Sequence, residues 1–313
     1  MPLLYEINEH KKDGHKFAQI TGFEGRIADL KVPEIIEGYP VEAIGNHAFS
    51  GRDDLVTVTL PETVKTLYGF SFHNCKNLRK ISLFDSLDDY YDGVCRQCDN
   101  LEEVDITIEK NWYEVIRNFL ADNDKTLRFV IHAENGTSCL TFPEYVYDFN
   151  ENTMARTIQF SIAGSGYAFR ECVDRRKIDY RQYDGLFEKA IVDGSEIAGD
   201  IAIGRLLYPV DLSGEHCHIY ERYVRNNSRN ILEGLIREYH EQNENQEILD
   251  NLKKLLEYRC DIGKLKMRLF TQEDIDAGIK LASELKLNFL IPVMMNLTSK
   301  SADSPKIAPI FEF

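Results

Sequence analysis

The chain has 313 residues, of which 43% are hydrophobic, enough apolar material for about two ordinary domains and too much for a wholly disordered chain. Acidic side chains outnumber basic ones by 52 to 37, and the formal net charge of −15 disfavours nucleic acid and anionic lipid as partners. No stretch is long and apolar enough to predict a signal peptide or a membrane span.

Seven cysteines are scattered along the sequence, an odd number that favours free thiols over a disulfide framework. Free thiols and the lack of a signal sequence together predict a cytoplasmic location. A leader trimmed from the start would change that prediction to an extracellular location.

An internal repeat of 23 residues occupies the first third of the chain. The repeat is visible in the pairs Val58 and Ile81, Leu60 and Leu83, Phe72 and Cys95, Cys75 and Cys98, and Leu78 and Leu101. Phe49 and Leu55 extend the pattern backward, and Val104 and Ile106 extend it forward. The first unit is longer, with an insertion of five residues around 35–39.

A unit of this size cannot bury its own apolar face, so we expect neighbouring units to stack and their strands to form a parallel sheet. The alternation of Val58 and Leu60 with Thr57 and Thr59 is typical of a half-buried strand. We predict that the outward residues form a candidate interaction surface. They are Asp29, Lys31, Thr57, Thr59, Lys80, Ser82, Glu103 and Asp105.

The sequence GYPVEAIGNHAFSG at 38–51, with Leu60-Pro61 and FHNCKNL at 72–78, resembles the BspA-type leucine-rich repeat over about 20–108. The resemblance implies a strand with an irregular return in each unit, and recognition rather than catalysis, and it transfers no catalytic residue. The sequence departs from the family pattern in three places. Arg52 replaces a cysteine, Cys95 replaces an aromatic residue, and the acidic segment 85–91 replaces the usual proline-bearing turn. The acidic segment predicts a distorted or capping third unit.

Beyond the repeats, the spacing of Trp112, Val115, Ile116, Phe119 and Leu120 predicts a short amphipathic helix within 111–123 that closes the open end of the solenoid. Residues 127–173 read as β-rich, with turns at Asn135-Gly136 and at Gly164-Ser165-Gly166. We expect a small sheet that links the two halves of the chain.

From Tyr180 onward the periodicity is helical, and the runs 187–207, 231–260 and 274–297 each predict a helix pair. The last run is similar to an ankyrin pair, although the usual TPLH sequence is absent. The predicted fold is therefore α+β, with a parallel-stranded solenoid, a small β-rich linker and an α-helical repeat region. The predicted domains are 1–110, 111–179 with its capping helix, 180–300, and a tail at 301–313.

Two clusters have spacing suited to a metal or a redox centre. Cys95 and Cys98 form a Cys-x-x-Cys pair, but they continue the columns of Phe72 and Cys75, and the repeat accounts for both. The sequence His216-Cys217-His218 places three metal-capable residues side by side, and these cannot all face one ion. We therefore predict no metal, cofactor or catalytic residue.

Basic and aromatic residues are concentrated at 167–183. Arg170, Arg175, Arg176 and Arg181 belong to this strip, which is either a solvated face or a surface for an acidic partner or anionic ligand. Gly164-Ser165-Gly166 lacks both the dinucleotide-binding and the phosphate-loop pattern and favours a hairpin turn.

Two functions follow from these patterns. The first is a non-catalytic scaffold or recognition module that binds a protein through its repeat surfaces. The second is a small-ligand protein or enzyme with a pocket between the β-rich linker and the helical region, using Asp179, Tyr183, His216 and His218.

Overall fold

A computed structural model describes residues 3–152, 157–262 and 265–301. It divides into two units, Met1–Leu212 and Ser213–Phe313. The predicted boundaries at 110 and 179 both fall inside the first unit, and residues 302–313 of the predicted tail lie outside the described residues.

The strands of the first unit are β1 (Leu3–Glu9), β2 (Lys16–Phe23), β3 (Asp29–Lys31), β4 (Ile35–Ile36), β5 (Tyr39–Ile44), β6 (Thr57–Thr59), β7 (Thr66–Leu67), β8 (Lys80–Phe84), β9 (Asp89–Tyr90), β10 (Glu103–Thr107), β11 (Leu127–Ala133), β12 (Gly136–Phe142), β13 (Val146–Asn152) and β14 (Thr157–Ala163). Its helices are α1 (Glu114–Asp122), α2 (Gly166–Arg170), α3 (Tyr180–Gly185), α4 (Phe187–Asp193) and α5 (Ser195–Leu207).

The predicted solenoid and its parallel strands are confirmed. The first sheet has the order β12-β11-β10-β8-β6-β3, in which every pair is parallel except β11 with β12. Val58 lies beside Ile81, and Ile81 beside Val104, so one apolar column is buried along the stack. The longer first unit accommodates β4, which folds back antiparallel on β5.

The second sheet covers another side of the coils, in the order β1-β2-β5-β7-β9. Here Ile44 pairs with Leu67 and Leu67 with Tyr90, again at intervals of one coil. The strand β1 runs antiparallel to β2, so a β-hairpin stands at the first edge of this sheet.

The third side of each coil is an irregular turn held together by stacked side chains. The rings of Phe49 and Phe72 are parallel, with centroids 5.4 Å apart and 5° between their planes. The thiol of Cys75 donates to the carbonyl of Phe49 at 3.1 Å, and one coil later Cys98 donates to Phe72 at 3.0 Å. The predicted stacking is therefore confirmed.

The turn also repeats its backbone conformation. Positive φ angles recur one coil apart at His47, Phe70 and Gly93, with values of 55°, 57° and 70°. Packing also requires glycine at position 93, since a Cβ atom there would lie 2.6 Å from the Phe70 ring.

The helix predicted within 111–123 is present as α1, with Val115, Ile116, Phe119 and Leu120 buried. On the turn side, the carboxylate of Asp122 accepts from the amides of Gly93 at 3.2 Å and Cys95 at 3.1 Å. In the preceding coil, the equivalent amides of Phe70 and Phe72 donate to backbone carbonyls. The helix thus closes the turn side of the stack.

The first sheet continues past that helix. Strand β11 pairs parallel with β10, for example Glu103 with Arg128, so the predicted boundary at 110 lies inside the sheet. The acidic segment predicted to distort the third unit begins at Asp85, a buried residue whose carboxylate accepts from the amides of Glu109, Lys110 and Trp112.

The remaining β structure differs from one expectation. The turn predicted at Asn135-Gly136 joins β11 to β12 as expected. Gly164-Ser165-Gly166, predicted as a hairpin turn, instead connects β14 to α2. Packing requires glycine at this junction, because a Cβ atom at Gly166 would lie 2.0 Å from the carbonyl oxygen of Pro143.

The second unit consists of α6 (Gly214–Asn226), α7 (Ser228–Glu241), α8 (Gln246–Glu257), β15 (Arg259–Ile262), β16 (Leu265–Arg268), α9 (Gln272–Glu284) and α10 (Leu290–Ser301). Within it, α7 with α8 and α9 with α10 occupy the runs predicted as helix pairs, and α4 with α5 does so in the first unit. Helix α6 and the β15–β16 hairpin were not predicted. The ankyrin resemblance stays a prediction.

Candidate interaction surface

The outward residues of the first sheet form two rows. We call this the strand face and define it as the outward positions of β3, β6, β8 and β10. The first row is Asp29, Thr57, Lys80 and Glu103, and the second is Lys31, Thr59, Ser82 and Asp105. The structure therefore brings together all eight strand residues that the sequence singled out.

The later half of the strand face is an ion-pair network. Lys80 Nζ lies 2.7 Å from Glu103 Oε1 and 3.2 Å from Asp105 Oδ2. Beyond the face, Arg128 Nε lies 2.8 Å from Glu103, and His132 Nε2 lies 3.2 Å from Asp105. The positive charges of Lys80 and Arg128 are thus paired with the negative charges of Glu103 and Asp105.

Glu103 is the most buried member of this network, with 7% of its surface exposed. Burial acts to raise the pKa of its carboxyl group, but the charges and hydrogen bonds of Arg128 and Lys80 outweigh burial and leave the pKa lowered. Glu103 therefore stabilises the coil as an anion.

The earlier half of the strand face is more open. Asp29, Lys31 and Thr59 are exposed, and Thr57 is half-buried. The Thr57 hydroxyl donates to Asp29 Oδ1 at 2.7 Å. An approaching polypeptide would meet hydroxyl groups and single charges here, without first breaking a network.

The predicted arginine strip is divided by the structure. Arg170 donates to the backbone carbonyls of Leu120, Pro143, Gly166, Asn123 and Lys125, and its guanidinium lies 4.8 Å from the centre of the Tyr145 ring. Burial lowers the pKa of Arg170 to about 10. Arg170 thus joins neighbouring segments and offers little to a ligand.

The other three arginines are exposed. Arg175 lies 3.3 Å from the Glu114 carboxylate, and Arg176 lies 4.7 Å from the centre of the Trp112 ring. Arg181 stands on α3. Arg175, Arg176 and Arg181 therefore stay candidate interaction residues.

Residues assigned to a hypothetical pocket have local structural contacts. In the first unit, Asp179 accepts from the amide of Gln182 as the N-cap of α3, and the buried Tyr183 hydroxyl donates to Thr141. In the second unit, His216 Nδ1 lies 2.9 Å from the Ser213 hydroxyl oxygen at the start of α6, and His218 Nδ1 lies 3.0 Å from Glu221 Oε2.

The Cys95 and Cys98 thiols are buried among the stacked turns. Burial raises the pKa of Cys95, and contact with Cys75, together with burial, raises that of Cys98. Raised pKa values keep thiols protonated and unreactive.

Sequence reasoning missed two features. Aromatic rings stack along the turn side, His47 on Phe70 and Tyr68 on Tyr91, each pair with centroids 5.2 Å apart. The 23-residue spacing of both pairs was an available signal. The second feature is a cluster of His10, Asp13 and His15 in the first hairpin, where two histidines flank an Asp-Gly turn.

Residues 29–148 match the BspA type leucine rich repeat region in six copies. These residues form a BspA-type leucine-rich repeat region. The match confirms the resemblance drawn from the motifs and carries the BspA-type region beyond residue 108. The match over residues 29–148 supports a protein-interaction role. Within the described residues, every helix is too short or too polar to cross a membrane.

Three solved structures are similar to this chain. A leucine-rich repeat protein of T. pallidum is 20% identical, with a TM-score of 0.23 over 33% of this chain and 68% of that one. A leucine-rich repeat protein from Bacteroides ovatus is 15% identical, with a TM-score of 0.20 over 33% of this chain and 47% of that one. A leucine rich cell surface protein from Faecalibacterium prausnitzii is 17% identical, with a TM-score of 0.26 over 42% of this chain and 41% of that one. The comparison with curated proteins gives no match.

Proposed function

We propose that this chain is a non-catalytic interaction module that binds a protein partner through the strand face. The observation that carries the proposal is the register of four consecutive parallel strands, which sets their outward residues in two continuous rows. Stacked repeats of this kind offer broad surfaces to a polypeptide.

The earlier half of the strand face is the proposed contact site. Lys80, Glu103 and Asp105 already satisfy one another, and displacing them would cost their mutual interactions. Asp29, Lys31 and Thr59 are exposed, so they can pair with a partner at little cost. A partner segment with hydrogen-bonding groups and an acidic side chain opposite Lys31 fits this end.

The proposal includes the nature of the partner and its compartment. A net charge of −15 favours a protein over nucleic acid. The seven free cysteines suit a reducing compartment such as the cytoplasm. The rival function, a small-ligand-binding protein or an enzyme, has less support because Asp179, Tyr183, His216 and His218 each have a local structural contact.

Site-specific photo-crosslinking in the native cell tests the proposal. A photoreactive residue at Thr59 is expected to give one defined protein adduct, identified by mass spectrometry. The same residue at Asp99, an exposed position on the turn side, serves as the control. Equal adducts from both positions, or none from Thr59, would contradict the assignment.

Charge reversal then tests the contact with the purified, identified partner. Lys31→Glu is expected to weaken binding about tenfold, because a charge on the strand face is reversed. Lys76→Glu, an equal reversal at an exposed turn position, is expected to leave affinity unchanged. Loss of affinity in both variants alike would point to general electrostatics and against the strand face.

A further inference from the structure

The hairpin that joins β1 to β2 brings together three metal-ligating side chains. One ligand atom each from His10, Asp13 and His15 lies within 4.8 Å of the others. His15 Nδ1 is 2.8 Å from Asp13 Oδ1, and His10 Nδ1 is 3.4 Å from the same oxygen. The two imidazole rings are stacked, with centroids 5.1 Å apart.

The hairpin backbone fixes this arrangement. The amide of His10 donates to the carbonyl of His15 at 2.8 Å, and the amide of Gly14 donates to that of His10 at 2.9 Å. Gly14 has a φ of 74°, which permits the tight turn that points Asp13 back toward the histidines. The ligands are thus positioned before any ion arrives.

We propose that His10 Nδ1, Asp13 Oδ1 and His15 Nδ1 bind a divalent late first-row metal ion of the zinc class. Imidazole and carboxylate ligands suit such ions. Tetrahedral zinc with ligands at about 2.0–2.2 Å separates them by roughly 3.3 Å, close to the 2.8 and 3.4 Å found here. Water completes the fourth position.

Glu42 supplies the support that a metal-ligating histidine needs. Its Oε2 lies 2.8 Å from Nε2 of His15, the ring nitrogen that faces away from the ion. A carboxylate in this place holds the imidazole in the tautomer that leaves Nδ1 free to bind metal. Because Glu42 belongs to β5, the bound ion would also tie the hairpin to the first coil.

Equilibrium dialysis of the full-length reduced protein against Zn²⁺ tests the site. Wild type is expected to bind one ion more per chain than His15→Ala, and likewise one more than Asp13→Asn. His240→Ala removes an exposed histidine at the end of α7 and is expected to match wild type. All three ligands are substantially exposed, so the variants should keep the circular dichroism spectrum of the wild type.

A second variant tests the geometry separately from the ion count. Glu42→Ala is expected to raise the Kd for this ion about tenfold while leaving the number of ions unchanged. Equal ion counts in wild type, His15→Ala and Asp13→Asn would overturn the site. An unchanged Kd in Glu42→Ala would contradict the assignment of His15 Nδ1 as the ligand atom.

Discussion

At the scale of single residues, Glu103 shows why an outward position of the solenoid need not be a binding position. It lies at the β10 end of the strand face, and its two carboxylate oxygens bind Lys80 and Arg128 of the neighbouring coils. Its interactions join three consecutive strands, β8, β10 and β11. The residue therefore contributes to stability, and the exposed Lys31 and Thr59 remain for recognition.

The lowered pKa of Glu103 gives stability a defined pH dependence. A carboxyl group whose folded pKa lies below its unfolded value stabilises the fold above the unfolded pKa and loses this contribution as pH falls through the folded pKa. Glu103→Gln is expected to reduce the free energy of unfolding by about 1.5 kcal/mol at pH 7. The difference from wild type should shrink below about pH 4 in urea titrations. A constant difference from pH 7 to pH 3 would disprove the charged interaction.

At the scale of elements, α1 closes the turn side of the stack through one side chain, that of Asp122. A further coil would present two backbone carbonyls to Gly93 and Cys95, and Asp122 presents two carboxylate oxygens instead. The second of these oxygens also accepts from the Tyr90 hydroxyl at 2.9 Å. A helix can thus follow an irregular turn without leaving its amides unsatisfied.

Asp122→Asn tests this closure. The amide group would turn an NH₂ donor toward at least one backbone donor, so we expect a loss of about 2 kcal/mol in the free energy of unfolding. Asp99→Asn, at an exposed position in the preceding turn, should change it by less than about 0.5 kcal/mol. Chemical denaturation measures both, and equal effects would contradict the closure.

The elements that could be predicted from the sequence are those fixed by short-range repetition. The column of Phe49 and Phe72 and the strand register follow from one interval, because each coil meets only its neighbours. The continuation of the sheet through β11 could not be read in this way, since α1 changes the register to 25 residues between Glu103 and Arg128.

Other misses have equally local causes. Helix α6 was not predicted because its sequence begins with polar residues and its buried face includes the charged Glu221. On the candidate surface, spacing identified the outward residues but could not show that Lys80 and Glu103 pair with each other. For the same reason, the sequence could not show that Arg170 binds backbone carbonyls.

At the scale of the whole molecule, the BspA-type region is a one-dimensional stack in which neighbouring coils repeat several of the same contacts. The hydrogen bonds that the Cys75 and Cys98 thiols donate to backbone carbonyls recur one coil apart, as do the positive φ angles of His47 and Phe70. Such a stack should tolerate the loss of one whole coil, because the flanking coils present the same surfaces to each other.

Deleting one coil is the most direct test of this account. Removal of residues 57–79 brings Lys80 into the place of Thr57, beside Asp29. We expect this variant to keep its β-sheet circular dichroism and to unfold cooperatively in urea. Removal of residues 57–75, which breaks the 23-residue period, should abolish that transition. If both deletions unfold the chain to the same extent, the stack of equivalent coils, and the strand face built on it, is contradicted.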